Sequence, residues 1–177
     1  MDDSEAIIVE AKENSNNKGF FLEKVKTVPM LLEWASNEIK DDKEVVLEAV
    51  KVDSGALEFS STRLKDDKEI ALESVSKSGW TSCYLSDRLK DDKDIIISAA
   101  KNDGQVLYFA SQRLRDDKDV VLEAVKNKPI ILKYASLRLR GDKDIALAAV
   151  QKGKKKVVEY ITEELRQDED ILKILEE

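Results

Sequence analysis

A segment close to Leu-(Lys/Arg)-Asp-Asp-Lys-(Asp/Glu)-(Ile/Val) recurs at a fixed 25-residue interval, starting at Leu64, Leu89, Leu114 and Leu139, the last with Gly141 replacing the first Asp. The frame extends back to Ile39 and, after a one-residue insertion, forward to Leu165. Self-similarity at a short fixed period means that one small unit was copied and that each copy buries its apolar face mainly against its neighbours. Stacking explains the recurring positions, so function is to be sought where the copies differ.

Within one unit, Asp67 is a good N-cap for Lys68-Glu69-Ile70-Ala71-Leu72-Glu73-Ser74-Val75, which is apolar at helical spacing. This predicts a helix A of about ten residues. Asp53-Ser54-Gly55, Ser78-Gly79, Asp103-Gly104, Lys128-Pro129 and Lys152-Gly153 then break the successive copies. Gly in a left-handed C′ conformation or Pro is expected to end helix A there. A continuous helix B is expected to follow, as in Gln105 to Arg115. It carries a recurring aromatic (Trp34, Phe59, Tyr84, Phe109, Tyr134, Tyr160) that shares a face with leucines and reads as core. The recurring Ser36, Ser61, Ser86, Ser111, Ser136 and Thr162 read as small hydroxyls that permit close helix approach and bond back to the preceding turn. The fold class is therefore all-α: an α-solenoid of about six short helix-turn-helix repeats. Residues 1–16 form an N-terminal capping helix and polar loop, and residues 17–177 the array.

Only six Gly and two Pro occur, so no Pro/Gly-rich linker interrupts the chain. Met1-Asp2-Asp3-Ser4-Glu5 lacks the basic start of a signal peptide, and no apolar run reaches the roughly 20 residues of a membrane span. A cytoplasmic protein is expected, and the solitary Cys83 fits a reducing compartment. The formal charge of −7 argues against nonspecific adhesion to nucleic acid or membranes. The absence of histidine removes the commonest general base and zinc ligand, so no catalytic residue, metal or cofactor is expected. The Asp-Asp pairs sit at helix starts and read as caps, not as cation ligands.

The run Val121-Leu122-Glu123-Ala124-Val125-Lys126, with Leu107-Tyr108-Phe109-Ala110-Ser111 and Tyr134-Ala135-Ser136, resembles a short tandem α-helical repeat family catalogued as a domain of unknown function. That family occurs in multi-repeat proteins of protists and in bacterial proteins, host-directed effectors among them. The resemblance covers roughly Asn17 onward and implies architecture without an activity. Delivery into a host cell would fit it.

Two patterns bear on partners. Arg63, Arg88, Arg113 and Arg138 form one basic ladder and Lys40, Lys65, Lys90, Arg115, Arg140 and Arg166 another; pairing with the Asp residues of their own turns accounts for both. A stripe on helix B opposite the aromatic, by contrast, changes chemistry from copy to copy: Gly55-Glu58-Thr62, Trp80-Cys83-Asp87, Gln105-Tyr108-Gln112 and Ile130-Lys133-Leu137. Copy-specific apolar residues beside uniform buried columns suit recognition. The expected function is a monomeric, non-enzymatic scaffold that binds a protein partner on a concave helix-B face through Trp80, Cys83, Tyr108, Ile130, Lys133 and Leu137. The alternatives are an acidic decoy that blocks a nucleic-acid-binding surface and a nucleic-acid reader that uses the basic ladder. Lys152, Lys154, Lys155 and Lys156 make the one strong basic run, read as a solvated loop or an anion contact.

Overall fold

The computed structural model of the protein describes residues 3–176; Met1 and Asp2 of the N-terminal run, and Glu177 at the end of the array, lie outside the described residues. Among the described residues all regular structure is helical. The α-helices are α1 (Asp3–Glu13), α2 (Lys18–Lys24), α3 (Asn37–Lys40), α4 (Lys43–Val52), α5 (Lys68–Lys77), α6 (Asp87–Lys90), α7 (Lys93–Asn102), α8 (Lys118–Asn127), α9 (Leu137–Arg140), α10 (Lys143–Gly153) and α11 (Glu169–Glu176). The chain is an all-α helical repeat array of the solenoid type, organised in two compact bodies that divide between Leu89 and Lys90.

Helix A forms as expected. In α4 the Asp42 carboxylate accepts from the amides of Glu44 and Val45 at 3.0 and 3.2 Å, and Asp67, Asp92, Asp117 and Asp142 cap α5, α7, α8 and α10 alike. Such a cap is worth about 1 kcal/mol. Val45, Val46, Ala49 and Val50 face inward on α4, as do Val120, Val121, Ala124 and Val125 on α8. In the first body α2, α4 and α5 pack side by side over the 3-10 segments Pro29–Trp34, Ser54–Phe59 and Gly79–Tyr84. In the second, α7, α8, α10 and α11 do the same over Gly104–Tyr108, Pro129–Tyr134 and Lys154–Tyr160.

The expected continuous helix B is not there. Each copy instead has a 3-10 segment, a break and a short turn. At the break Ala35, Ser60, Leu85, Ala135 and Ile161 are extended, with ψ between 154 and 161°. The recurring hydroxyl that follows explains the change. Ser61 Oγ accepts from Leu64 N at 3.2 Å and so caps a new turn, a local bond that competes with helix continuation. Ser86, Ser111 and Ser136 repeat this at the same distance. The break also frees the Ser61 amide to donate to Lys40 O of the preceding copy at 2.9 Å, and the Ser136 amide to donate to Arg115 O at 3.0 Å. The serines thus cap the following turn and tie it to the preceding copy; they do not bond back to the preceding turn.

The short turns alternate. They are α-helical in α3, α6 and α9 and 3-10 in Leu64–Asp66, Leu114–Asp116 and Leu165–Gln167, so the backbone repeats every second unit.

Three further expectations need correction. The recurring aromatics are half-buried, and the core is aliphatic: Leu57, Leu64, Leu89, Leu107, Leu114, Leu132 and Leu139 are closed to solvent. The loop glycines are not left-handed, since among the described residues the one positive φ belongs to Lys154. Gly104 is required by close approach, because a Cβ there would lie 2.2 Å from Ala124 O. The buried columns are not uniform either. In the third copy Ser74, Thr81 and Ser82 take positions that Ala49, Ala56 and Leu57 hold earlier, and Ser74 Oγ donates to Thr81 Oγ1 at 2.6 Å.

Candidate functional site

The basic ladder bonds between copies, not within its own turn. Arg63 Nε donates to Asp41 Oδ1 and Oδ2 at 3.0 and 3.1 Å, and its NH2 to the Asp41 carbonyl at 2.6 Å, while Ser61 Oγ donates to the same carboxylate. Arg88 with Asp66, Arg113 with Asp91 and Arg138 with Asp116 repeat the arrangement, joined by Ser86, Ser111 and Ser136. The serine hydroxyl first and the guanidinium second hold each of these aspartates below the usual carboxylate range. The two aspartates of the motif therefore have separate tasks. The first grips the next copy, and the second caps its own helix A.

The lysine of the motif forms a second set of links between copies. Lys43 Nζ lies 2.8 Å from Asp67 and 2.9 Å from Glu69; Lys93, Lys118 and Lys143 reach the equivalent acid pairs one copy ahead. Arg115 and Arg166 are engaged by carbonyls of their own copy, and Arg140 Nε donates to Tyr160 O at 2.5 Å. Each exposed pair is weak alone, but their repetition along the array sets its register. Among the described residues no cluster of carboxylates or Cys is placed to hold a metal ion.

The copy-variable stripe lies on the 3-10 segments and the turns after them. In the first body Trp80 is 48% exposed and Cys83 half-buried. Beside them the Tyr84 hydroxyl donates to Glu58 Oε2 at 2.9 Å, a contact between neighbouring copies on the same surface. In the second body Tyr108 is 47%, Ile130 41% and Leu137 75% exposed. Tyr108 is not set apart from the aromatic column, as expected of a separate face. Its ring meets Phe109 and Tyr134 edge-on, both at 4.9 Å, and Lys133 Nζ sits 4.9 Å from the Tyr134 ring centre. Tyr108, Lys133 and Tyr134 thus form one contiguous patch, with Ile130 on the same 3-10 segment as Lys133 and Leu137 on the turn that follows.

Another exposed apolar surface escaped the sequence reading. Ile7 and Ile8 of α1, with Val28, Met30, Leu31, Glu33 and Trp34, line a groove of about 480 Å³, and Lys12 Nζ lies 4.1 Å from the Trp34 ring centre. Trp34 keeps the 25-residue register, but α1, which brings Ile7 and Ile8 to the groove, lies outside the repeat.

The fold and its repeat contacts define a tandem α-helical repeat protein. The chain belongs to the family described as Domain of unknown function (DUF4116), whose model matches three times, over residues 17–65, 67–115 and 117–166. Each match spans two of the 25-residue units and so contains one α-helical and one 3-10 turn, in step with the alternation of the backbone. No curated protein and no solved structure is similar enough to the chain to count as a match.

Proposed function

We propose that the protein is a non-enzymatic scaffold that binds a protein partner through the variable stripe of its 3-10 layer. Tyr108, Ile130, Lys133 and Leu137 would form the patch in the second body, and Trp80 and Cys83 that in the first. The supporting observation is the exposure of Leu137 (75%), Tyr108 (47%) and Ile130 (41%) on segments whose inward residues, Leu107, Ile131, Leu132 and Leu139, are buried. Several large apolar side chains exposed on one layer mark an interaction surface, and Tyr and Trp are common interface anchors. A cytosolic location, in the producing cell or in a host, belongs to the same proposal.

The inter-repeat links weaken both alternatives. The arginines of the Arg63 ladder are held by aspartates on their Nε edge, and those aspartates are neutralised in turn, which takes this row of charge from a nucleic-acid reader and from an acidic decoy alike. The test is Tyr108→Ala with Leu137→Ala. Its melting temperature should stay within a few degrees of the parent, while its affinity for a partner identified by capture with the parent protein falls about tenfold, on the order of 1.4 kcal/mol. Equal affinity would discard this face.

A further inference from the structure

We propose that the lysine-rich cleft at the end of α10 is an anion site that takes a phosphate group. The cleft has a volume of about 550 Å³ and is lined by Lys152, Gly153, Lys154, Lys155, Lys156 and Leu175. It lies where the 25-residue period gains its one inserted residue, so no other copy has its equivalent.

Two of the four lysines build the cleft and two are left to fill it. Lys152 Nζ donates to Lys126 O and Asn127 O at 3.1 and 3.0 Å, at the end of α8, and Lys154 Nζ donates to Ile174 O at 3.1 Å in α11. Cations belong at helix C-termini, so these contacts are structural. Lys155 and Lys156 are exposed, and among the described residues neither has a hydrogen bond or ion pair. Elsewhere the motif lysines Lys18, Lys43, Lys93, Lys118 and Lys143 each sit between two carboxylates, whereas no carboxylate lines this cleft. Among the described residues, therefore, the two lysines, neighbours in sequence, share the cleft without a carboxylate in its lining.

The backbone supports the same reading. Lys154 has φ 50° and ψ −140°, a conformation that a residue with a Cβ adopts only at a cost of roughly 1–3 kcal/mol, and such strain collects at ligand sites. The preceding Gly153 is fixed by close approach, because a Cβ there would lie 2.6 Å from Val157 Cγ1.

A phosphate fits better than a single carboxylate, because a dianion can engage both ammonium groups at once. A long polyanion fits worse. Its further charges would run onto the surface of a chain of net charge −7 and meet the repulsion of carboxylates within the screening length of about 8 Å. The phosphate could belong to a soluble ester or to a lipid headgroup, and the two sources are separable.

The experiment is calorimetric titration of the full chain with inorganic pyrophosphate, beside co-sedimentation with phosphatidylcholine vesicles that carry phosphatidic acid. Saturable binding of pyrophosphate with a dissociation constant below about 1 mM at roughly 0.15 M salt assigns a soluble ligand. Binding of the vesicles alone assigns the headgroup. In either case Lys155→Gln with Lys156→Gln should weaken binding roughly tenfold, Lys155→Arg with Lys156→Arg should retain it, and Lys101→Gln should leave it unchanged. The proposal fails if neither probe binds saturably or if the Gln pair binds like the parent. That failure would leave the reading of the 3-10 stripe untouched.

Discussion

Arg63 grips Asp41 across one repeat, with its Nε 3.0 Å from Oδ1 and its NH2 2.6 Å from the main-chain oxygen of the same residue. Where this grip is absent, both partners have changed. Ser36 meets Asn16 in place of an aspartate, at 2.8 Å, and the arginine position of that copy is Glu38. Gly141 stands where the fifth aspartate would be, and Glu164 where its arginine would be. A lone arginine or aspartate at either site would lack its counter-charge.

The grip predicts an acid limit to stability. Asp41, Asp66, Asp91 and Asp116 ionise more readily in the fold than in an unfolded chain, held so by their serines and arginines. A depressed carboxylate stabilises the fold above its unfolded value, about 4, and that contribution is lost as pH falls through the folded value. The urea midpoint should be flat between about pH 7 and 5 and fall steeply below about 4. Ser111→Ala with Ser136→Ala should make the fall shallower; an unchanged slope would mean that the hydroxyls do not set these values.

Gly104 and Gly55 should respond differently to alanine. A Cβ at Gly104 meets the Ala124 carbonyl at 2.2 Å, whereas at Gly55 the nearest atom is Asp53 Oδ1 at 3.1 Å, the tip of a side chain that can shift by a few tenths of an ångström while it still accepts from Gly55 N. Gly104→Ala should cost about 1–3 kcal/mol and Gly55→Ala less than about 1. Chemical unfolding of the two variants decides it, and equal losses would count against the close approach at Gly104.

Core and rim should separate in the same assay. Leu107 is fully buried, so Leu107→Ala should cost about 2–5 kcal/mol. Phe109, half-buried and in edge contact with Tyr108 at 4.9 Å, should cost less when truncated despite its larger side chain. A reversed order would restore the aromatic column to the core.

Tyr84 should resist ionisation. Partial burial first, and the hydrogen bond to Glu58 second, push its phenol up to about 12 from an ordinary value near 10. Because the fold prefers the neutral phenol, this contribution is complete below about pH 10 and disappears as pH rises toward the folded value. The difference between the ultraviolet titrations of the parent and Tyr84→Phe isolates this group. A midpoint near 10 would refute the link to Glu58.

The sequence shows helix A plainly because its cap and its buried pairs, such as Asp42 followed by Val45, Val46, Ala49 and Val50, are local and periodic. The second arm is ambiguous in the sequence for a physical reason. Leu57 and Leu64 are seven residues apart, a spacing that one helix or two short turns can both satisfy, and only the position of Ser61 betrays the break. The exposure of Trp80, Tyr108 and Leu137 was legible as departure from the repeat, whereas the contact of Tyr108 with Tyr134 depends on how adjacent copies are offset. The N-terminal groove carries a periodic signal only in Trp34, because Ile7 and Ile8 come from α1, before the first repeat.

The alternation of α-helical and 3-10 turns bears on how such a chain can grow. A tandem duplication of one 25-residue unit would set two turns of the same kind side by side, out of step with the seam between them. A duplication of two units would reproduce both seams. Lengthening by genetic recombination is therefore tolerated in steps of two, and an inserted single unit is expected to form the weakest junction in an enlarged array.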